Sequence, residues 1–284
     1  MRRILITGAN KGIGLAAVKA VLDAGEDTFV FLGSRSAERG EGALREVLEE
    51  DASREGRVKV IAIDVADQGS VQAAAGVIRE LCGGEDQPLM GLVNNAGIGL
   101  GSEDLEKVLD VNTYGPKRVC EAFLPLIKDG GRVVNVSSAS GPNFVASCDA
   151  DLQARLTADD VQWADVEAVI EEYLEGTPAG EVNAYGLSKA CLNAYTIELA
   201  RETPRLTVNA CTPGFIETDL TRPFAEARGA TPEEMGMKSP EEGTRSILHL
   251  LFGEPGGSGW YFGSDAVRSP LDRYRSPGDP PYRG

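Results

Sequence analysis

Histidine is nearly missing from this chain of 284 residues: His249 stands alone. A Ser-His-Asp triad would have to be built on that one ring, and its setting in the apolar run Ile247-Leu-His-Leu-Leu251, near the end of a predicted helix, suits packing instead. Cysteine is sparse too. Cys82, Cys120, Cys148, Cys191 and Cys211 are odd in number, dispersed and without a C-x-x-C, which argues against a disulfide frame and a zinc site and reads as reduced thiols; no metal is expected. No apolar run is long enough to cross a bilayer. Met1 to Gly8 run straight into a glycine turn with no room for a signal peptide, so the expected compartment is the cytosol. Basic residues are in deficit, 28 Lys and Arg against 44 Asp and Glu, and the net charge of -16 argues against a binder of nucleic acid or anionic membrane. An anionic ligand would need a local basic pocket. What is present, 42% hydrophobic and 25% charged residues, is ordinary for a soluble globular protein large enough to bury a substantial core.

Short apolar runs alternate with helical patterns: Ile4 to Ile6, Phe29 to Leu32, Val58 to Ile63, Gly91 to Val93, Val133 to Val136 and Leu206 to Ala210. That rhythm predicts an α/β fold, a doubly wound parallel sheet with helices on both faces, in a single domain over 1–264. Residues 141–184 break the rhythm with ten acids against one base, Arg155. A capping pattern at Thr157 and Asp160, followed by the apolar stripe Val166, Val169, Ile170, Tyr173 and Leu174, predicts a folded helical insertion with a solvated acidic face. Residues 265–284, with four prolines and no periodicity, read as an irregular or mobile tail.

In such folds ligands bind beyond the carboxyl ends of the strands. Gly8, Gly12 and Gly14 follow the first strand and open a helix, where backbone N–H groups and the helix N-terminus can approach a pyrophosphate; Asn10, Lys11 and Ile13 share that turn. The tip of the second strand reads Leu32-Gly-Ser-Arg-Ser36, 21 residues past the last glycine, with a cation where a carboxylate would hold a ribose 2′-hydroxyl. Arg35 therefore points to NADP(H), helped by Ser34 and Arg39. Tyr185 and Lys189 are four apart and share a helix face, so the ammonium is expected to lower a phenol pKa that is about 10 unperturbed and to make Tyr185 a proton donor.

With these motifs in this order, residues 3–263 resemble the short-chain dehydrogenase/reductase family, whose fold is of Rossmann type. The resemblance implies roles for several further positions. Asp64 and Val65 match the adenine contact. Asn94, Ala96 and Gly97, in Asn94-Asn-Ala-Gly97, match the cofactor-lining turn after the fourth strand. Asn112 matches the helix asparagine of a proton-relay water, and Ser138 the catalytic serine that holds the substrate oxygen. Pro213, Gly214, Ile216 and Thr218 match the segment over the nicotinamide. Lys189 would also hold the nicotinamide ribose.

Ser138 and Tyr185 are 47 residues apart, and the chain is similar to the carbonyl reductase subgroup, which carries a helical insertion there. By that likeness the insertion covers a helix that usually forms an oligomer interface, so a monomer is expected. The resemblance implies an NADPH-dependent reductase of ketones, aldehydes or quinones; a dinucleotide-binding sensor or scaffold, or a nucleotide-sugar epimerase or dehydratase, are the alternatives. Phe144, Val145, Phe215 and Phe224 fall near the expected pocket and suggest an apolar or aromatic substrate. The stretch from Thr221 to Lys238 reads as a lid.

Overall fold

A computed structural model describes residues 1–99, 104–176 and 183–284. The six apolar runs form strands β1 (Arg2–Ile6), β2 (Thr28–Ser34), β3 (Val58–Ala62), β4 (Leu89–Asn94), β5 (Ile127–Val136) and β6 (Thr207–Cys211). Two further strands escaped the sequence reading, β7 (Tyr261–Phe262) and β8 (Arg268–Ser269). The order is β3-β2-β1-β4-β5-β6-β7-β8, parallel throughout except for the antiparallel pairing of β7 with β8. Strand order reverses between β1 and β4, which opens a crevice beyond their carboxyl ends.

Helices α1 (Gly12–Asp23), α2 (Ala37–Glu50), α3 (Gln68–Leu81), α4 (Leu105–Leu109), α5 (Gly115–Phe123), α6 (Ser140–Ser147), α7 (Ala150–Thr157), α8 (Trp163–Gly176), α9 (Ala184–Glu202), α10 (Arg222–Glu226) and α11 (Arg245–Phe252) flank the sheet or build the insertion. Side chains alternate across a strand, so β1 feeds both layers. Ile4 and Ile6 pack with Val18 and Leu22 of α1 and Leu250 of α11, whereas Leu5 packs on the other face with the layer holding Ile78 of α3, Phe123 of α5 and Leu199 of α9. Each such side chain, fully buried, contributes roughly 1.5–3 kcal/mol of hydrophobic stabilisation.

The insertion has a core of its own. Val166, Val169 and Ile170 of α8 pack with Leu156, Phe144 and Val145 against Leu187, Cys191 and Ala194 of α9. Glu198 accepts a hydrogen bond from the Trp163 backbone N–H at 2.6 Å, and the Trp163 ring meets Tyr114 and Tyr195 edge to face. Two local expectations are corrected. Thr157 ends α7, its hydroxyl donating to the Gln153 carbonyl, and α8 begins only at Trp163, with Asp165 accepting from the Gln162 N–H. Leu174 is 45% exposed and leaves the stripe, because the buried face of α8 ends near Ile170 and Tyr173. Residues 177–182 of the insertion lie outside the described residues.

The tail also departs from expectation. It joins the sheet at β8, where the Arg268 guanidinium stacks 3.9 Å from the Trp260 ring centroid, and beyond β8 it is irregular but returns to the domain through the pairing of Arg275 with Asp265. Ion pairing and stacking hold it where hydrophobic periodicity is missing.

Candidate active site

The glycine turn is shaped by what a side chain would strike. Gly8 has φ +63°, and a Cβ there would lie 2.7 Å from the Ala96 Cα; at Gly14 it would lie 2.4 Å from the Gly8 carbonyl oxygen. Gly12, at φ +55°, also occupies the left-handed region. Asn95 sews the turns after β1 and β4 together, its Nδ2 donating to the carbonyls of Thr7 and Gly8 at 2.9 and 3.1 Å, while the Thr7 hydroxyl accepts from the N–H groups of Asn95 and Ala96. Lys11, at the N-cap of α1, supplies no side-chain cap, and the first turn holds no acid, so the N–H groups of that turn have no side-chain acceptor from the cap among the described residues.

Asn94 is corrected. Its side chain is buried away from the crevice, donating to Asn135 Oδ1 at 2.9 Å and Cys120 Sγ at 3.3 Å. Alternation along β4 turns Asn94 inward, and its neighbour Asn95, inside the same quoted motif, braces the turn.

At the tip of β2 Arg35 is 64% exposed, and its ion-pair neighbour among the described residues is Asp64, 4.0 Å away. Arg39 is exposed in the first turn of α2. Ser34 is corrected as a helper: it is fully buried and its hydroxyl donates to the Ser36 carbonyl at 2.8 Å. Asp64 accepts from the Ala66 N–H, whereas the Val65 side chain is buried in the core.

Tyr185 and Lys189 occupy the first two turns of α9, which Asn183 caps by accepting from the Gly186 N–H at 2.9 Å. The Lys189 Nζ sits 5.7 Å from the Tyr185 ring centroid and donates to the Val136 carbonyl at 2.9 Å. Ser138 follows β5, beside the phenol. Burial pushes Tyr185 up to about 12, against an opposing pull from the Ser138 hydroxyl, and burial lowers Lys189 to about 8. Burial thus moves the phenol in the direction opposite to the expectation, and the Lys189 ammonium lies over the ring face with its hydrogen bond to the Val136 carbonyl rather than to the phenol oxygen.

Asn112 lies in a π-turn, Asp110–Tyr114, between α4 and α5. Its Nδ2 donates to the Ile98 carbonyl and the Ser188 hydroxyl, and its Oδ1 accepts from the Ile98 N–H. Both amide hydrogens are therefore spent on protein, and any relay water would rest on a carbonyl oxygen. A Cβ at Gly97 would lie 3.3 Å from Asn112 Oδ1 and 3.7 Å from Lys189 Nζ, so glycine keeps that approach open.

A cavity of about 360 Å³ has Ser138 and Tyr185 in its wall, together with Ile13, Pro213, Gly214, Phe215, Ile216, Thr218 and Phe224. Phe144 and Val145 are corrected: both are buried in the insertion core, where Phe144 meets Tyr173. Residues 216–238 leave and rejoin the domain at a bridge between Ile216 and Lys238, and Lys11 pairs with Asp219 of this excursion at 2.6 Å. Tyr261, Tyr274 and Arg275 also line the cavity and escaped the sequence reading, since no motif marks them and they arrive from the sheet edge and the tail. His249 packs against Phe262 instead, outside the cavity wall.

The short chain dehydrogenase family matches residues 2–149 of this chain. Carbonyl reductase (NADPH) 1 from Homo sapiens is 31% identical over 277 residues, covering 90% of this chain and 92% of the relative. A (+)-neomenthol dehydrogenase from Arabidopsis thaliana is 32% identical over 286 residues, covering 88% and 90%. Among solved structures, salutaridine reductase from Papaver somniferum superposes with a TM-score of 0.73 at 26% identity, covering 92% of this chain and 99% of that one. A carbonyl reductase from chicken fatty liver, solved with NADPH, shares the fold at a TM-score of 0.66 and 24% identity, covering 95% and 99%.

Proposed function

The chain belongs to the short-chain dehydrogenase family, and we infer that it is an NADP(H)-dependent reductase of ketones, aldehydes or quinones. The observation that carries this reading is the meeting of Tyr185 and Ser138 in one cavity wall, with Lys189 5.7 Å from the Tyr185 ring centroid, in a fold whose glycine turn has no room for a Cβ at Gly8 or Gly14. The residues fit a dinucleotide phosphate. The uncapped N-terminus of α1 suits a pyrophosphate, exposed Arg35 and Arg39 suit a 2′-phosphate, and the segment from Pro213 to Thr218 would cover the nicotinamide. When bound, that cofactor supplies the hydride.

The remaining chemistry belongs to the chain. Ser138 and Tyr185 hold the carbonyl oxygen, and Tyr185, neutral across the physiological range, hands it a proton as negative charge develops there. Lys189 stabilises the resulting phenolate. Phe215 and Phe224 favour an apolar or aromatic substrate. No helix among the described residues is long and apolar enough to cross a membrane. The insertion, packed over α9, supports a monomer, and a stable dimer in sedimentation velocity would overturn that reading.

The test follows NADPH absorbance with a panel of ketones, aldehydes and quinones, with Tyr185→Phe as the control. Turnover by the parent and its loss in the variant are expected. Tight NADPH binding without turnover of any compound would make the protein a sensor, and unchanged turnover in the variant would remove the mechanism.

A further inference from the structure

The wall of the reaction cavity contains Arg275, whose ion-pair partner Asp265 stands outside the lining, and the reaction does not require this pair. Arg275 of the tail and Asp265, just beyond β7, have side chains only 6% and 15% exposed. Arg275 donates from Nη1 and Nη2 to the same carboxylate oxygen at 3.0 and 2.5 Å, and from Nη1 to the Ser276 carbonyl. Asp265 also accepts from the N–H groups of Val267 and Gly278, so it fastens the tail to the turn between β7 and β8. Arg275 Nε is buried and has no hydrogen-bond partner among the described residues. Arg275 lines the same cavity as Ser138 and Tyr185.

A guanidinium in a cavity wall would ordinarily recruit an anion. Here the cation is already matched by one carboxylate in a poorly solvated setting, and a second carboxylate brought by a ligand would meet the repulsion of Asp265 as well as its own desolvation. We propose that Asp265 and Arg275 are a specificity-determining pair, which makes the cavity accept neutral carbonyl compounds and reject those bearing a carboxylate. Neither residue is assigned a role in proton transfer. The inference rests on the carbonyl reductase reading of the site and adds the charge class of its substrate. It also locates latent capacity for an anion: with Asp265 neutralised, Arg275 would carry an uncompensated charge and one unused N–H.

The probes are methyl 4-acetylbenzoate and 4-acetylbenzoate, aromatic ketones of closely similar shape that differ in charge. Their binding to the NADP⁺-loaded protein is measured by calorimetry, where no hydride is available, so the result does not depend on turnover; NADP⁺ affinity reports that each variant is folded. The parent is expected to bind the ester at least about tenfold more tightly than the carboxylate, a free-energy difference of about 1.4 kcal/mol. Asp265→Asn should narrow or reverse that ratio, and the double variant Asp265→Asn, Arg275→Met should lose the gain in carboxylate binding. Arg275→Met alone should widen the ratio, a prediction in the opposite direction that serves if Asp265→Asn does not fold. A parent that prefers the carboxylate or binds neither probe, an unchanged ratio in Asp265→Asn, or a gain that persists in the double variant would overturn the proposal. Failure of every carbonyl to oxidise NADPH would instead overturn the reductase reading.

Discussion

The two ends of the crevice are built by different means. At the dinucleotide end the shape comes from backbone: glycines at positive φ, N–H groups without side-chain acceptors, and turns braced by Asn95 and Thr7, all from segments close to the switch point. At the substrate end the shape comes from side chains brought together from the 212–224 segment, β7 and the tail. Backbone geometry tolerates few substitutes, whereas a wall of side chains can be exchanged one residue at a time. A common reaction and a variable substrate can therefore share one cleft.

Between the two ends stands Tyr185, and its removal has the largest expected effect. Tyr185→Phe should lower kcat by about a thousandfold, the scale of a lost general acid, with NADPH affinity unchanged in a fluorescence titration. At the dinucleotide end, Gly14→Val places carbon atoms against the Gly8 carbonyl; overpacking of up to about 3 kcal/mol predicts roughly a hundredfold loss of NADPH affinity by the same titration. Little change there would break the contrast, since backbone shape would then not be limiting.

Lys189 separates stability from function. Burial lowers it to about 8 from 10.5, so its contribution to stability is complete above about pH 10.5 and is lost as pH falls through 8, where a buried ammonium must form. In the cofactor-free state Lys189→Met should accordingly exceed the parent in stability at pH 7 by up to roughly 3 kcal/mol, less what the abandoned Val136 carbonyl costs, and the gap should close between pH 8 and 10.5 in urea unfolding. Arg35→Ala should reduce the preference for NADPH over NADH about tenfold in kcat/KM, as expected for one charge-assisted contact at an exposed site. Smallest is Phe215→Ala at the substrate end: at 41% exposure the ring has limited area left to bury, so KM for an aromatic ketone should rise about threefold while NADPH affinity holds.

The same contrast explains what could be read in advance. The six parallel strands, the glycine turn and the Tyr-Lys pair were legible because each is written in contiguous residues whose spacing is set by strand or helix geometry. Ser34 and Asn94 were misread because adjacent strand residues face opposite ways, and a motif does not state which of them turns inward. Phe144 and Val145 sit near Ser138 in sequence but on the buried side of α6. Strands β7 and β8 were missed because two-residue strands carry no period, and Arg275 because its partner is ten residues away in a segment read as irregular.

Helix α9 is held by two cores at once, Leu192, Tyr195 and Leu199 facing the sheet while Leu187, Cys191 and Ala194 face the insertion. It is thus a shared wall, and the residues at its start inherit their positions from both sides. Heat that melts the insertion would strip one support from Tyr185 and Lys189 together, so thermal inactivation would follow the weaker of two packed layers and precede loss of the sheet.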